Sequence, residues 1–426
     1  MSKTEIIALT ARKLWGSRAR PTIEVEVRLA GGAFGRAFVP SEILKKLESN
    51  IKSRNARPQI EGFDITKAIK NFHLEITNLL EGQDALNQFA IDRLLCELDG
   101  TPNKARLGGN IIIATSIATA QAAAAAQELP LWRHLGGNNS SLLPLPEIQI
   151  FGDGMHSARC IDIQGLMIIA LGAETFSEAL DWTAKVYHAA DRLLDNVKTV
   201  TGEAAKSSYP PFFASNEEAI QTLMVAIEKA GFTPGQDIAI SLDIAASKFY
   251  KDGKYFINRD NTELDSDEMC AMLIDWAERY PICSIEAPLA EDDLDGMVRF
   301  TWAMRNKIQV VGNNFLGKNV SRMEDTSIKN ACNTVLVEPN QAGTLSETQE
   351  ALKIIKSAKM NCIASAQSDD SADTSIMHLA IGWGIPQIKV NALSGVDGMS
   401  KWNEGLRISQ ELQNGTLPPR SIFPWR

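Results

Sequence analysis

The sequence lacks paired cysteines and a secretion signal. Its six cysteines are scattered, and no two of them form a CxxC pattern. Scattered thiols of this kind are typical of reduced cysteines in a cytosol, where most of them serve as small core residues. The first residues, MSKTEIIALTARKLWGS, do not contain the apolar core of a signal peptide. We therefore expect a cytoplasmic protein.

The sequence also lacks a run of lysine and arginine residues, and its formal net charge is -9. A protein that binds nucleic acid needs a clustered basic face, so we expect no nucleic-acid partner. The most apolar stretch, IIIATSIATAQAAAAAQ, is rich in alanine and contains threonine, serine and glutamine. This composition predicts a packed helix and not a membrane span, so we expect no membrane partner.

The composition that is present, 44% hydrophobic and 22% charged residues, is that of a soluble globular protein. A chain of 426 residues is too long for one ordinary core, which favours two domains or a barrel with an appendage. TIEVEVRLA alternates apolar and polar residues, which predicts a half-exposed antiparallel strand, and GGAFGRAFVP predicts the second arm of a hairpin. Helical patterns then run as far as Gly136-Gly137. We predict a small N-terminal α+β domain over residues 1–138.

The sequence pattern changes after Leu142, where short apolar runs alternate with amphipathic helical stretches. Alternating strands and helices predict parallel strand pairing, and about eight strands suit a (β/α)8 TIM barrel over residues 139–426. An open doubly wound sheet is the alternative, but no GxGxxG follows a strand, which counts against it. The apolar runs are EIQIFG, IDIQGLMIIA, IAISLDIAA, ICSIEAP, IQVVGNN, TVLVEPN, NCIASAQ and PQIKVNA.

Charged and polar side chains recur where these predicted strands end. The carboxyl ends of barrel strands open on one face, so these side chains are expected to converge there. Burying unpaired charge costs several kcal/mol, so the group needs a cation, a counter-charge or both. The strand-end residues are Asp243, Glu286, Asn313, Glu338, Gln367, Ser368 and Lys389.

Asp243 and Glu286 end neighbouring strands and make a candidate site for one Mg2+ or Mn2+ ion. Mg2+ prefers oxygen ligands, keeps several waters and needs only one or two carboxylates from the protein. Asn313 is the candidate third ligand. Lys389 is the candidate general base, because burial and a nearby metal both lower the pKa of a lysine.

Longer motifs resemble the enolase family along nearly the whole chain. SRARPTIEVEV is similar to the family's opening strand, and LDGTPNKARLGGNIIIATSIATAQAAAAAQELPLWRHLGG is similar to its signature helix segment. The resemblance implies an enolase-type modified barrel that includes antiparallel strands, a small N-terminal α+β domain, Mg2+ and a homodimer. It also implies the dehydration of 2-phosphoglycerate to phosphoenolpyruvate. The remaining motifs, SLDIAASKFY, SIEAPLAEDDLDGM, VGNNFLGKN, VEPNQAGTLSETQEAL and GIPQIKVNA, follow in the family's order.

The resemblance fails at several positions of the site. The family's third metal-binding Asp corresponds to Asn313, and its base lysine corresponds to Glu338. The general-acid glutamate falls on Gly165, directly after Gln164, and the mobile loop VPSGASTG corresponds to VPSEILKK. His156 keeps the place of the family's loop histidine and is a candidate acid or base, and Arg159 is a candidate replacement cation. The His-Arg-Ser group that binds the substrate phosphate corresponds to Ala366, Gln367 and Ser368.

The exchange of a lysine for Glu338 has two open interpretations. Glu338 and Lys389 could form a pair that neutralises an inactive cavity, or they could have exchanged acid and base roles for another substrate. The first functional hypothesis is a divergent lyase-like enzyme. In it, one divalent cation stabilises an enolate-type intermediate of a small-molecule carboxylate substrate. The second is a catalytically silent scaffold that acts as a binding or regulatory dimer. The third is the ordinary phosphopyruvate hydratase of glycolysis.

Overall fold

The fold is described from a computed structural model of the chain. The structure describes residues 2–16, 21–39, 65–139, 141–152, 161–198, 213–312, 330–366, 372–412 and 415–423.

A three-stranded antiparallel sheet opens the chain, and its central strand is β2. The antiparallel strand that the alternation in TIEVEVRLA predicts is confirmed, but the predicted half-exposure is wrong, because Glu24 and Glu26 on the polar face of β2 are buried. Their carboxylates pair with the guanidinium groups of Arg12 and Arg36 on the neighbouring strands, whose side chains cover them. The strands are β1 (Ile6–Trp15), β2 (Pro21–Leu29) and β3 (Phe34–Val39).

Helices cover the apolar face of this sheet. The alanine-rich helix α4 packs on β2 and β3, and a Cβ at Gly35 would overlap the backbone of Ala118 and Ala122. This helix is long and apolar enough to cross a membrane, but 83% of it lies buried inside the protein, as the sequence predicts for a packed helix. The helices are α1 (Thr66–Asn71), a π-helical turn (Phe72–Ile76), α2 (Thr77–Leu80), α3 (Gln88–Asp99), α4 (Gly109–Ala126) and α5 (Leu131–Gly136).

Eight strands of the described residues close a barrel in the order β10-β11-β12-β13-β14-β4-β5-β6. Each of them coincides with one of the eight apolar runs. The parallel pairing expected from the alternation is wrong for β5, which runs antiparallel to β4 and β6, as the family resemblance implies. The strands are β4 (Leu145–Gly152), β5 (Gly165–Ile169), β6 (Ala239–Asp243), β10 (Ile282–Glu286), β11 (Gln309–Gly312), β12 (Thr334–Val337), β13 (Asn361–Ser365) and β14 (Gln387–Val390).

Helices lie between the barrel strands, and their first turns are set by local capping. Asp265 forms a capping box with Glu268 at the start of α8, and Thr344 accepts a hydrogen bond from the backbone N–H of Glu347 at the start of α11. A small antiparallel sheet follows β6, with strands β7 (Tyr250–Lys251), β8 (Lys254–Ile257) and β9 (Thr262–Leu264). The helices are α6 (Phe176–Lys198), α7 (Asn216–Lys229), α8 (Ser266–Arg279), α9 (Leu294–Met304), α10 (Pro339–Ala342), α11 (Leu345–Ser357), α12 (Ser375–Gly382) and α13 (Val396–Glu411).

Apolar side chains close the barrel at the amino ends of its parallel strands. Phe423, near the end of the chain, packs there against Leu145, Ala239 and Cys283. Because this end is filled, polar side chains inside the barrel are reached from the opposite end. That opposite end is where the parallel strands finish and where the predicted site lies.

Candidate active site

The strand ends bring Asp243, Glu286 and Lys389 together inside the barrel. Asp243 is the last residue of β6, and Glu286 is the last residue of β10. The two strands are parallel neighbours, and their register pairs Glu286 with Asp243. Lys389 extends from β14 on another part of the wall. The closed barrel therefore turns residues that are far apart in sequence towards one point.

Lys389 bridges the two acids. Its Nζ lies 2.8 Å from Oδ2 of Asp243 and 2.7 Å from Oε2 of Glu286. The side chains of the two acids are 3% and 2% exposed, and that of Lys389 is 17% exposed. Two almost fully buried carboxylates from adjacent strands thus share one partly exposed cationic group.

The charges of this cluster shift the pKa values of its members. Burial alone would lower the pKa of Lys389, but the negative charges of Asp243 and Glu286 outweigh it and raise that pKa. The lowered lysine pKa that the sequence predicts is therefore wrong for this ion-paired arrangement. Burial, reinforced by the charge of Asp243, raises the pKa of Glu286 to about 8. Two carboxylates facing one ammonium group leave an excess of buried negative charge, which favours either proton uptake or a further cation.

A second polar layer lies one step deeper in the barrel and centres on Glu147, which the sequence reasoning missed. Glu147 is fully buried, and its register partner on β14 is Lys389. Its Oε1 accepts a hydrogen bond of 2.6 Å from Ser241, and its Oε2 accepts one of 2.7 Å from Gln387. Burial raises the pKa of Glu147. Its alternation with Gln149 in EIQIFG was the available signal for an inward-facing carboxyl group.

Glu338 follows directly after β12 and is half-buried. It accepts hydrogen bonds from Gln341 and, at 3.5 Å, from the hydroxyl of Ser365 at the end of β13. The ion pairs of Lys389 are with Asp243 and Glu286, so a direct Glu338–Lys389 pair is not formed. The carboxylate at this position leans towards the end of β13.

Gly165 stands at the position that corresponds to the family's general acid, so no acidic side chain is present there. Gly165 begins β5 and pairs in register with Asp243, and a Cβ at Gly165 would lie 3.7 Å from the Cβ of Asp243, an ordinary contact distance. Gln164 precedes it and lines a cleft at this edge of the barrel. A side chain at Gly165 would therefore begin in contact with Asp243 and Gln149.

Several predicted site residues lie outside the described residues, so the structure does not place them. They are His156, Arg159, Asn313, Gln367 and Ser368.

The described side chains fit one oxygen-bound divalent cation. Oδ1 of Asp243 is buried and has no hydrogen-bond partner among the residues that the structure describes, although its other oxygen is paired with Lys389. A buried acceptor without a partner is costly unless a cation or water completes it. Within the described ranges, no cluster of three His, Cys, Asp or Glu side chains is suited to a metal. A carboxylate pair is nevertheless sufficient for Mg2+, which keeps much of its water.

Comparison with protein families agrees with this architecture. The family described as "Enolase, N-terminal domain" matches residues 6–135, and "Enolase, C-terminal TIM barrel domain" matches residues 140–417. Together the two matches cover nearly the whole chain, in the family's order and with the closed barrel that the second description names. The chain belongs to the enolase family.

Proposed function

We propose that this protein is a divergent, lyase-like member of the enolase family that removes a proton next to a carboxylate. The observation that carries the proposal is the convergence of Asp243 and Glu286 on one cationic position, where Nζ of Lys389 lies within 2.8 Å of both. Two buried carboxylates on adjacent strands are costly without a counter-charge. Their retention is consistent with a site whose purpose is to hold a cation.

Asp243 and Glu286 would hold one Mg2+ or Mn2+ ion, with Asn313 as the proposed third ligand. Such an ion supplies a Lewis acid that stabilises negative charge developing on a substrate carboxylate. With both acids engaged in holding such an ion, Lys389 would no longer be ion-paired with them, and its amine could accept the substrate proton. Glu338 and His156 are the proposed groups for a second proton transfer. The half-buried carboxylate of Glu338 lies next to Ser365, the register partner of Lys389.

The same site is poorly suited to 2-phosphoglycerate. Phe38, Ser365, Ala366 and Asp373 line a small cavity next to the position where the family binds the substrate phosphate. The part of this lining that the structure describes contains a carboxylate and no lysine or arginine. Each missing close contact to a highly charged substrate would cost about 2 to 5 kcal/mol in the transition state. Several such losses together would leave little phosphopyruvate hydratase activity.

Proton exchange tests the proposed reaction without a known substrate. Small carboxylic acids with an α-proton, with and without a 2-hydroxyl group, are incubated with the protein and Mg2+ in deuterated water and followed by proton NMR. We expect Mg2+-dependent exchange that Lys389→Ala abolishes and that Lys353→Ala, at an exposed helix position, leaves unchanged. Exchange that survives Lys389→Ala would exclude the proposed role of this lysine.

A second candidate function is a silent enolase-like scaffold that acts as a binding or regulatory dimer. The observation in its favour is that Lys389 already supplies a positive charge to both acids, so the fold can be stable without a metal. Calorimetric titration with Mn2+ separates the two. Heat of binding in the wild type that Asp243→Asn removes supports the enzyme, whereas no heat and an unchanged Tm support the scaffold.

The third candidate, an ordinary phosphopyruvate hydratase, is tested by the ultraviolet absorbance of phosphoenolpyruvate formed from 2-phosphoglycerate. We expect little or no turnover. A rate typical of glycolytic enolases would overturn the interpretation of Glu338 and of the phosphate-binding position.

A further inference from the structure

A solvent-open cleft lies beside the acid pair, between the ends of β5, β6, β10 and β11. Its volume, counted out to the open solvent, is about 480 Å³, and its lining includes Gln164, Ser247, Lys248 and Glu291. We propose that this cleft binds a second carboxylate group of the substrate and that Lys248 recognises it. The inference rests on the proposed function, because the first carboxylate of the substrate is assigned to the site of Asp243 and Glu286.

Small residues keep the cleft open. Ala245 and Ala287, which follow Asp243 and Glu286 closely, both line it. Both have left-handed backbone conformations, with φ of 49° and 45°. Non-glycine residues in this region are strained and persist only where the surrounding structure holds them, which is common at binding sites.

Backbone hydrogen bonds hold this strained arrangement. The N–H of Ala246 donates to the carbonyl of Ala287 at 3.2 Å, and the N–H of Ala287 donates to Val311 at 3.1 Å. The hydroxyl of Ser247 accepts a hydrogen bond of 2.9 Å from the N–H of Glu291, which ties the two loops together at the rim. The walls of the cleft are therefore fixed relative to the acid pair and suit a preformed pocket.

Lys248 supplies an uncommitted positive charge to this cleft. It ends a 3-10 turn, Ala246–Lys248, only five residues after Asp243, and its side chain is exposed. Within the described part of the chain, its ammonium group has no carboxylate within 4.0 Å. An ammonium group that lines a fixed cleft without a partner is suited to a ligand's anion.

Glu291 faces the same cleft and also has no ion-pair partner among the described residues. A ligand group with both an anion and an ammonium could use Lys248 and Glu291 together. The hydrogen-bond donors of the lining favour an anion alone, because Lys248 and the amide of Gln164 can donate, whereas Glu291 is the single carboxylate among the lining residues that the structure describes. The negative charge of Glu291 then weakens anion binding. Removing this charge should leave anion binding unchanged or strengthen it, which makes Glu291→Gln a discriminating control.

The experiment compares dicarboxylates with monocarboxylates of equal carbon number, from malonate and propionate to adipate and hexanoate. Dissociation constants are measured by calorimetry in the presence of Mg2+, for the wild type, Lys248→Met and Glu291→Gln. Lys251→Met, at another exposed lysine on β7, is the matched control. The ratio of the two constants at the best chain length measures recognition of the second anion.

In the wild type, the best dicarboxylate is expected to bind about tenfold more tightly than its monocarboxylate, the scale of one charge-assisted hydrogen bond. Lys248→Met should reduce this ratio to about one, and Glu291→Gln should leave it unchanged or raise it. An unchanged ratio in Lys248→Met, or a loss of binding in Glu291→Gln, would overturn the inference. If the wild type does not bind monocarboxylates, that result counts against the proposed function. Binding of dicarboxylates that depends on Lys248 would, in that case, still support the second anion site. Failure of both classes of acid would refute both.

Discussion

Replacing Lys389 by methionine should make the stability of this protein depend on divalent cations. The change removes the ammonium group that lies 2.8 Å from Asp243 and 2.7 Å from Glu286, and keeps a side chain of similar length. Two almost fully buried carboxylates then face each other without a counter-charge. The site becomes a pair of acids that either a proton or a metal ion must neutralise.

The expected loss of stability follows from this geometry. Removing one partner of a buried ion pair costs about 3 to 5 kcal/mol. Lys389 is partly exposed, and Glu286 can relieve some of the repulsion by taking up a proton, since burial already raises its pKa to about 8. We therefore expect a loss of about 3 kcal/mol in unfolding free energy at pH 8 without metal, at the low end of that range, and a smaller loss at pH 6.

Urea unfolding in EDTA and in Mn2+ measures both effects. A ligand at one hundred times its dissociation constant adds about 2.7 kcal/mol, so Mn2+ should restore most of the loss in Lys389→Met. The wild type should gain less at the same concentration, because the ion must displace the ammonium group. Lys353→Met, at an exposed position, is the control. Two results would refute the competition between lysine and metal. One is a Lys389→Met variant that is as stable as the wild type in EDTA, and the other is a Lys389→Met variant that gains no more stability from Mn2+ than the wild type does.

Three further predictions concern the metal-free protein. Because the pKa of Glu286 is raised from 4.5 to about 8, the native state holds a proton that the unfolded chain releases, so stability falls as pH rises between these values. Glu286→Gln should flatten this decline in urea unfolding measured from pH 5 to 8, and an unchanged slope would contradict the shift. Asp92 accepts hydrogen bonds from the backbone and hydroxyl of Ser346 at 2.9 and 2.7 Å and thereby ties α3 to α11. Asp92→Ala should lower the unfolding free energy by about 2 to 4 kcal/mol, since buried donors lose their acceptor, and a loss below 1 kcal/mol would be inconsistent with this. A Cβ at Gly405 would lie 2.5 Å from Cζ of Phe176, so Gly405→Ala should cost about 1 to 3 kcal/mol, measured as a lower Tm, and an unchanged Tm would show that the core yields at this point.

The strands of the barrel could be predicted from the sequence because each is a short apolar run between helical patterns. Their ends also indicated which side chains would meet, and the structure brings together Asp243, Glu286 and Lys389. The direction of β5 could not be predicted from periodicity, since an antiparallel strand has the same alternation as a parallel one. The family resemblance supplied that feature.

Other parts of the site depended on contacts that no local pattern contains. Glu147 lies inside β4 and not at its end, so the strand-end pattern does not indicate it. The side chains that cover Glu24 on β2 come from other strands, so the alternation alone predicted exposure. Glu338 is turned towards Ser365 by the way in which α10 follows β12, a geometry that its position in the sequence does not determine.

The most direct test of the proposed function is a crystal of the wild-type protein soaked in Mn2+ and examined by anomalous scattering. We predict one peak between the carboxylates of Asp243 and Glu286, with the ammonium group of Lys389 moved away from the position where it now bridges them. The absence of a peak at a saturating Mn2+ concentration, with Lys389 still within 2.8 Å of both acids, would contradict a metal-dependent enzyme.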